Sequence, residues 1–296
     1  MSISDLRKKY QTFPTLDFDL LLADTIKKPK EFLYSHPEYK LSLVEHIRLR
    51  YAIFLYKKGY SVAAIIGHKE FYNLDFFVNK HVLVPRPDTE LMVDEAIKVL
   101  SHEMETKNTN IIYIDVGTGS GCIPISVACH AELVSASREI PKQVRDDIQI
   151  FATDISKKAL KVAKKNAKMH KVNIDFLHGN LLEPILKNPF LLGTPCFVTI
   201  TANLPYLTAA QFKSEPSIQR EPKNALVAQY NGLDLYIKLL NQIRKLPNSC
   251  QMFLFLEIDP SQSEAITKIL NKLLPKANVK IKKDLAGLDR LVIAQV

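Results

Sequence analysis

Apolar residues in the first 72 positions recur every three or four residues, as in "DFDLLLADTI" and "LSLVEHIRLRYAIFLYKKG". That is the period of an amphipathic helix. Pro29, Pro37 and Gly59 break the runs, so the pattern predicts a small helical bundle over residues 1–72. "FYNLDFFVNKHVLVP" then alternates around Asn79-Lys80 and predicts a β-hairpin linker over 73–84. In "PRPDTELMVDEAIKVL", Asp88 or Thr89 is placed to cap the next helix.

From residue 111 the rhythm changes. "IIYIDV", "IQIFATD", "FVTITAN" and "QMFLFLEI" read as buried strands, with "ALKVAKKNAKMH" and "LDLYIKLLNQIRKL" as helical crossovers. Such alternation predicts a doubly wound α/β domain with a mainly parallel sheet over 85–296. The tail "VKIKKDLAGLDRLVIAQV" offers two more strands about a Gly-containing turn, so the sheet is expected to end in an antiparallel pair. "AELVSASREIPKQVRDD", residues 131–147, has no place in that scheme and reads as a surface insertion. It is longer than the usual connection of ~2–6 residues.

Composition narrows the setting. With 47% hydrophobic and 24% charged residues the chain is of ordinary globular type. The N-terminus lacks the apolar core of a signal peptide, and no run reaches the ~18 apolar residues of a membrane span. Cys122, Cys129, Cys196 and Cys250 form no C-x-x-C pair. No metal site or disulfide framework is expected, and a reducing cytoplasm fits best. The net charge of +9 is spread along the chain, 13 Lys and Arg against 9 Asp and Glu in 1–84 and 27 against 22 in 85–296. The densest run places Lys157, Lys161, Lys164, Lys168 and Lys171 on one helix stripe, read first as a solvated face and second as an RNA or acidic-partner contact. Nucleic-acid binding is permitted by this charge and not required.

"YIDVGTGSGCIPISVA" is a strand, a glycine-rich turn from Gly117 through Thr118, Gly119 and Ser120 to Gly121, and a helix. Such a turn at a strand's carboxyl end marks a nucleotide-type ligand in open α/β sheets. The dinucleotide fingerprint wants a glycine at its sixth position, where Cys122 stands. The spacing G-x-G-x-G instead resembles the first motif of S-adenosylmethionine-dependent methyltransferases. In that setting Asp154, ending "IFATD", is the carboxylate for the ribose. Its distance from the turn becomes normal once the insertion is discounted. The plain alternative is a structural turn, with Asp154 capping "SKKALKVA".

"ANLPYL" closes the strand expected fourth in such a sheet, on the same carboxyl edge as the glycine turn. Asn203, Leu204, Pro205 and Tyr206 resemble the Asn-Pro-Pro-Tyr motif of methyltransferases acting on planar amide or amino nitrogens, with Leu204 replacing the first Pro. An amide nitrogen is a poor nucleophile, so two positioned acceptors, the Asn203 carboxamide oxygen and the Leu204 carbonyl, suit the task of orienting it. Pro205 holds Leu204 extended, and Tyr206 supplies a flat wall.

Together with "GHKEFYNLDFFVNKHVLVPRPDTELMVDEAI", "TDISKKALKVAKKNA", "EPKNALVAQYNGLDLY" and "DLAGLDRLVIA", these motifs resemble the peptide chain release factor glutamine methyltransferases over nearly the whole chain. The resemblance implies a Rossmann-like methyltransferase domain with a seven-stranded sheet behind a helical domain that grips the substrate protein. It implies S-adenosylmethionine as cofactor, bound by Gly117 to Gly121, Asp154 and Asn203, with Leu181 near the adenine where relatives carry an aromatic. Asn203 to Tyr206 would clamp the substrate, the Gln of the Gly-Gly-Gln loop of class-1 release factors. "EIDPSQ" at 257–262 departs from the family's Glu-Ile-Gly pattern. The competing expectation is an amino-methyltransferase acting on adenine in DNA or on ribosomal RNA.

Overall fold

A computed structural model describes residues 1–106, 110–137, 148–188, 196–215, 218–247 and 249–296. By contact density the chain falls into two units, one built on Met1–His68 and one on most of the remainder.

The first unit is helical: α1 (Ile3–Lys9), α2 (Thr15–Ile26), α3 (Phe32–Ser35), α4 (Leu43–Lys57) and α5 (Val62–Ile66). Ser2 with Asp5 and Ser42 with Glu45 close capping boxes at α1 and α4, satisfying backbone N–H groups that have no intrahelical partner. Ile3, Leu6, Phe18, Leu22, Leu33, Leu49 and Ile53 form its core. Asp19 is buried, and its charge is met by a bidentate Arg7 at 2.9 and 3.0 Å and by the Tyr34 hydroxyl at 2.5 Å. Arg220, from far along the chain, joins this unit by donating to the Lys58 carbonyl at 3.0 Å.

A hairpin follows, β1 (His68–Phe71) and β2 (Leu74–Phe77). Its two-residue turn is Tyr72-Asn73, both with positive φ (52° and 57°). That is the backbone a tight primed turn demands. The turn that joins the paired strands is therefore not the one at Asn79-Lys80, and β1 occupies residues assigned by periodicity to the helical bundle. Alternation in Phe76, Val78 and Val82 does continue as burial, but without a second strand to pair. Residues 79–82 make a separate turn, the Val82 N–H donating to the Asn79 carbonyl at 3.2 Å, and 83–86 follow without regular structure.

The second unit holds β3 (Asn110–Val116), β4 (Ile148–Asp154), β5 (Asp175–His178), β6 (Cys196–Ala202), β7 (Cys250–Glu257), β8 (Asn278–Lys283) and β9 (Asp289–Gln295). Their order in one sheet is β5-β4-β3-β6-β7-β9-β8. The first five strands run parallel, and β9 pairs antiparallel with both β7 and β8. Helices cover both faces: α6 (Glu90–Thr106), α7 (Cys122–Ser137) and α8 (Lys157–His170) on one, α11 (Asp234–Ile243) and α12 (Ser263–Leu273) on the other, with short α9 (Glu183–Leu186) and α10 (Ala209–Ser214) between them in sequence. Alternate residues of β3 feed the two cores, Ile111 and Tyr113 with Val93, Ile97 and Ile125, and Ile112 and Ile114 with Leu239, Leu240 and Ile266. Both faces being covered explains why the parallel strands read as unbroken apolar runs.

Two expectations change. Residues 131–137, assigned to an irregular insertion, continue α7 to Ser137. "AELVSAS" contains good helix formers, and Pro141 lies too far on to stop it. The rest of that expectation, residues 138–147, lies outside the described residues. Second, Cys196 and Cys250 are joined as a disulfide, their Cα atoms 4.7 Å apart. They lie 54 residues apart in sequence, and only the parallel register of β6 and β7, which pairs them directly, brings them together.

Candidate active site

Register places the site. Val116 pairs with Thr153 on one side and with Ala202 on the other. The next residue of each strand or following loop, Gly117, Asp154 and Asn203, therefore lies side by side at the sheet's carboxyl edge. β3 has neighbours reached by chain leaving in opposite directions, which makes this edge a topological switch point, where open α/β sheets bind ligands.

The glycine turn needs its glycines. Gly117, Gly119 and Gly121 have φ of 77°, 56° and 79°. A Cβ on Gly117 would meet Leu204 Cδ2 at 2.9 Å, and one on Gly121 would meet Ala163 of α8 at 3.1 Å. Gly117 and Thr118 both donate to the Thr153 carbonyl (2.9 and 3.0 Å), extending the strand pairing into the turn. The Ser120 carbonyl accepts from Asn166 Nδ2 at 2.8 Å. The same buried carboxamide pairs with both backbone groups of Phe77, tying the turn to β2.

Asp154 does not cap α8. Ser156 does, its hydroxyl accepting from the Ala159 N–H. The Asp154 carboxylate accepts from Gly119 N–H (2.9 Å) and Ser156 N–H (2.7 Å). Burial raises its pKa, and these two backbone bonds oppose the shift. Each oxygen keeps a further lone pair for a ligand hydroxyl.

A cleft opens over this edge, lined by His81, Leu83, Pro85 and Arg86 from the segment after the hairpin, by Gly117, Thr118, Ser120, Asp154 and Ile155, and by Asn203, Pro205 and Asn224. A deeper recess is lined by Leu204, Tyr206, Leu207, Leu226 and Glu257, and shares Leu83, Arg86, Asn203, Pro205 and Ala225 with the cleft. Asn203 thus stands where the two meet. Glu221, mostly buried, holds the segment after the hairpin in place, accepting from Val84 N–H (3.2 Å) and from Arg86 Nη2 (2.5 Å).

Asn203 Nδ2 donates to Thr89 Oγ1 at 3.1 Å. Among the described residues no protein group donates to Asn203 Oδ1 or to the Leu204 carbonyl. Thr89 is not a helix cap: a 3-10 turn, Pro87–Thr89, precedes α6 and turns its side chain inward, 2% exposed. Leu204 is buried, and its N–H donates to the Tyr236 hydroxyl at 3.3 Å. Tyr206 is more than a wall. Its hydroxyl faces Glu257 Oε1 at 3.4 Å, and its carbonyl accepts from Gln262 Nε2 at 3.0 Å. Gly232 packs so close behind that carbonyl that any Cβ would overlap it.

Leu181 stands apart from the other expected residues. It is 7% exposed, packs in the core beside Leu182 and Ile185, and does not line the cleft. Thr89, Glu257, Tyr236 and Gly232 were not singled out as site residues from sequence. Thr89 and Glu257 lay inside "PRPDTE" and "EIDPSQ", but nothing in a linear pattern says that two segments 168 residues apart face each other.

The residues present fit S-adenosylmethionine: a turn that admits close approach, a carboxylate for a ribose diol, and an apolar and polar cleft wall. Among the described residues no His, Cys, Asp and Glu cluster is arranged for a metal, and no helix is long and apolar enough to cross a membrane.

Comparison with known proteins agrees. Residues 89–202 match the family described as Methyltransferase small domain. The release factor glutamine methyltransferase of Enterococcus faecalis is 34% identical over 80% of this chain and 76% of its own length. That of Bacillus subtilis is 32% identical over 94% of this chain and 89% of its own. Among solved structures, the hMettl16 catalytic domain in complex with MAT2A 3'UTR hairpin 1 shares the fold, with a TM-score of 0.54 at 14% identity, over 93% of this chain and 90% of that one. On the strength of relatives matched along most of both chains, this chain belongs to the release factor glutamine methyltransferase family.

Proposed function

We propose that the protein transfers a methyl group from S-adenosylmethionine to the side-chain amide nitrogen of a release-factor glutamine, the one in the Gly-Gly-Gln motif of class-1 factors. The observation carrying this reading is the pair of uncommitted acceptors, Asn203 Oδ1 and the Leu204 carbonyl, at the junction of cleft and recess. The cofactor supplies a methyl group made electrophilic by its cationic sulfur. Gly117 to Gly121 and Asp154 hold it on the cleft side. Asn203 Oδ1 accepts one N–H of the substrate amide and the Leu204 carbonyl the other. That would fix the nitrogen and turn its lone pair out of the amide plane toward the cleft, mainly a positioning effect. As the N–CH₃ bond forms the S–CH₃ bond breaks, S-adenosylhomocysteine leaves, and the nitrogen loses one proton to water. Pro205 favours the extended backbone at Leu204 that aims its carbonyl. Tyr206 and Leu83 bound the recess around a planar group.

The helical unit supports recognition of a protein substrate. Leu43, Ile47, Tyr51 and Phe54 lie along one face of α4 and are all exposed. An apolar stripe of that kind marks a protein contact more often than plain surface. A release factor as substrate supports a cytoplasmic enzyme, where translation runs. The adenine and ribosomal RNA reading shares the fold seen in the hMettl16 domain, but the relatives matched along the chain are release factor enzymes, and it is not favoured.

The deciding experiment supplies labelled S-adenosylmethionine with a release factor, the same factor with its Gln replaced by Glu, or RNA. Label is expected on the Gln factor alone, and Asn203→Ala should lower turnover by ~10²-fold or more while binding cofactor better than Asp154→Ala does. Label on RNA and not on the factor overturns the reading.

A further inference from the structure

Two backbone torsions aim the Leu204 carbonyl, which the proposed transfer uses as an acceptor. Pro205 restricts one of them, ψ at Leu204, to extended values. The other, φ, is a rotation about the N–Cα bond, and a proline at this position locks it with its ring. Leu204 has no ring, so its φ is fixed by whatever holds the two sides of that bond.

Both sides are held. On the amide side, the Leu204 N–H donates to the Tyr236 hydroxyl at 3.3 Å. On the other, the Leu204 side chain is buried, and lies so near Gly117 that a Cβ there would meet its Cδ2 at 2.9 Å. A proline in place of Leu204 would have no N–H to give, so the contact with Tyr236 is tied to the leucine.

Tyr236 is itself well anchored. It stands in the first turn of α11, fully buried, in the same apolar cluster as Leu204, Leu233, Leu239 and Leu240. Its hydroxyl lies where the pairing of β6 with β7 ends, at Ala202 and Leu256. There it donates to the Glu257 carbonyl, with the Ala202 carbonyl 3.4 Å away. A phenol has a single proton and keeps lone pairs to accept with. With the proton given to a strand end, a lone pair remains for Leu204. Burial holds the phenol well above its ordinary pKa, so that proton stays in place.

We propose that Tyr236 is a positioning residue for the clamp: its hydroxyl, anchored on the Glu257 carbonyl, takes the place of a proline ring by holding the amide side of Leu204, so that the Leu204 carbonyl keeps its aim. The inference rests on the reading above that this carbonyl accepts a substrate N–H.

The test is a double-mutant cycle on kcat, at saturating cofactor and release factor, with KM, cofactor affinity and Tm measured on each protein. Its members are wild type, Tyr236→Phe, Leu204→Pro and the double variant. Tyr236→Phe should lower kcat ~10-fold or more with cofactor affinity unchanged. Measured against Leu204→Pro, the same substitution should cost ~3-fold or less in kcat, because no N–H is left to hold. Tm should fall in both backgrounds, since the Glu257 carbonyl loses its donor in each. A tyrosine with a merely structural role would instead lower kcat equally in the two. Should Tyr236→Phe not fold, the α-hydroxy acid of leucine at position 204 carries the test. It swaps the N–H for an oxygen, leaves Tyr236 in place, and should lower kcat ~10-fold or more. Wild-type kcat in Tyr236→Phe or in the hydroxy-acid protein overturns the proposal, and so does an equal loss in both backgrounds. A wild type that labels no release factor defeats the parent reading instead.

Discussion

The carboxylate of Asp154, ending one strand, accepts the N–H of Gly119, in the turn after the neighbouring strand, at 2.9 Å. A residue read as a ligand for the ribose is thus also a brace for the turn that cradles the rest of the cofactor. Its removal has two consequences. Asp154→Ala should weaken S-adenosylmethionine binding by ~10- to 100-fold or more, since a charged acceptor contributes ~1.5–3 kcal/mol. It should also lower stability without cofactor, because Gly119 and Ser156 lose an acceptor. Calorimetric titration and apo-protein melting check the two separately. Unchanged affinity would remove Asp154 from the site.

Leu204 replaces the proline expected in the family motif, and its surroundings have adapted to it. Its N–H bonds to the Tyr236 hydroxyl, and its side chain is 3% exposed, against Gly117. Restoring proline removes that N–H and part of the packing. Leu204→Pro should therefore lose ~1–3 kcal/mol of stability, which denaturant titration would show. This reverses what the motif alone suggests, namely a harmless return to type.

The exposed stripe on α4 gives a prediction about substrate binding. Ile47→Asp with Tyr51→Ala should raise KM for the release factor ~10-fold or more, with kcat at saturation and Tm near wild type. Equal KM values would place the contact elsewhere.

Asp115 carries a pH signature. It is buried at the end of β3, where burial pushes it up to about 6 from 3.8, opposed by the Thr118 and Thr201 hydroxyls. A carboxyl with a raised folded pKa keeps a proton that the unfolded chain releases. Stability therefore falls as pH rises from about 4 to 6, and the full cost remains above that window. Asp115→Asn should raise stability by up to ~3 kcal/mol at pH 8 and by little at pH 4. Melting curves at the two pH values decide it, and an equal effect at both would show that ionisation is not the cause.

Much of this protein was legible in one dimension. Period-two and period-3.6 patterns depend only on where neighbouring side chains point, so the helical first unit, the alternating strands and helices, and the final antiparallel pair followed from spacing. Gly117 to Gly121 and "ANLPYL" were legible for a related reason, since each needs backbone freedom or rigidity that few residue types supply. Asp154 was named through the methyltransferase resemblance, and the register of β3 with β4 sets it beside Gly117.

What the pattern could not supply were relationships across the sheet. The hairpin turn moved to Tyr72-Asn73 because positive φ at two positions, rather than alternation, sets it. Cys196 met Cys250 because β6 and β7 pair in that register, and Leu181 turned into the core although motif position put it near the adenine. The contact of Thr89 with Asn203, and of Glu257 with Tyr206, spans 114 and 51 residues. Sequence determined which local structures form, because local sterics and hydrogen bonding are written in adjacent residues. Only the tertiary structure decided which buried polar groups become partners, because that depends on strand order and register, and these are settled by the packing of the whole sheet.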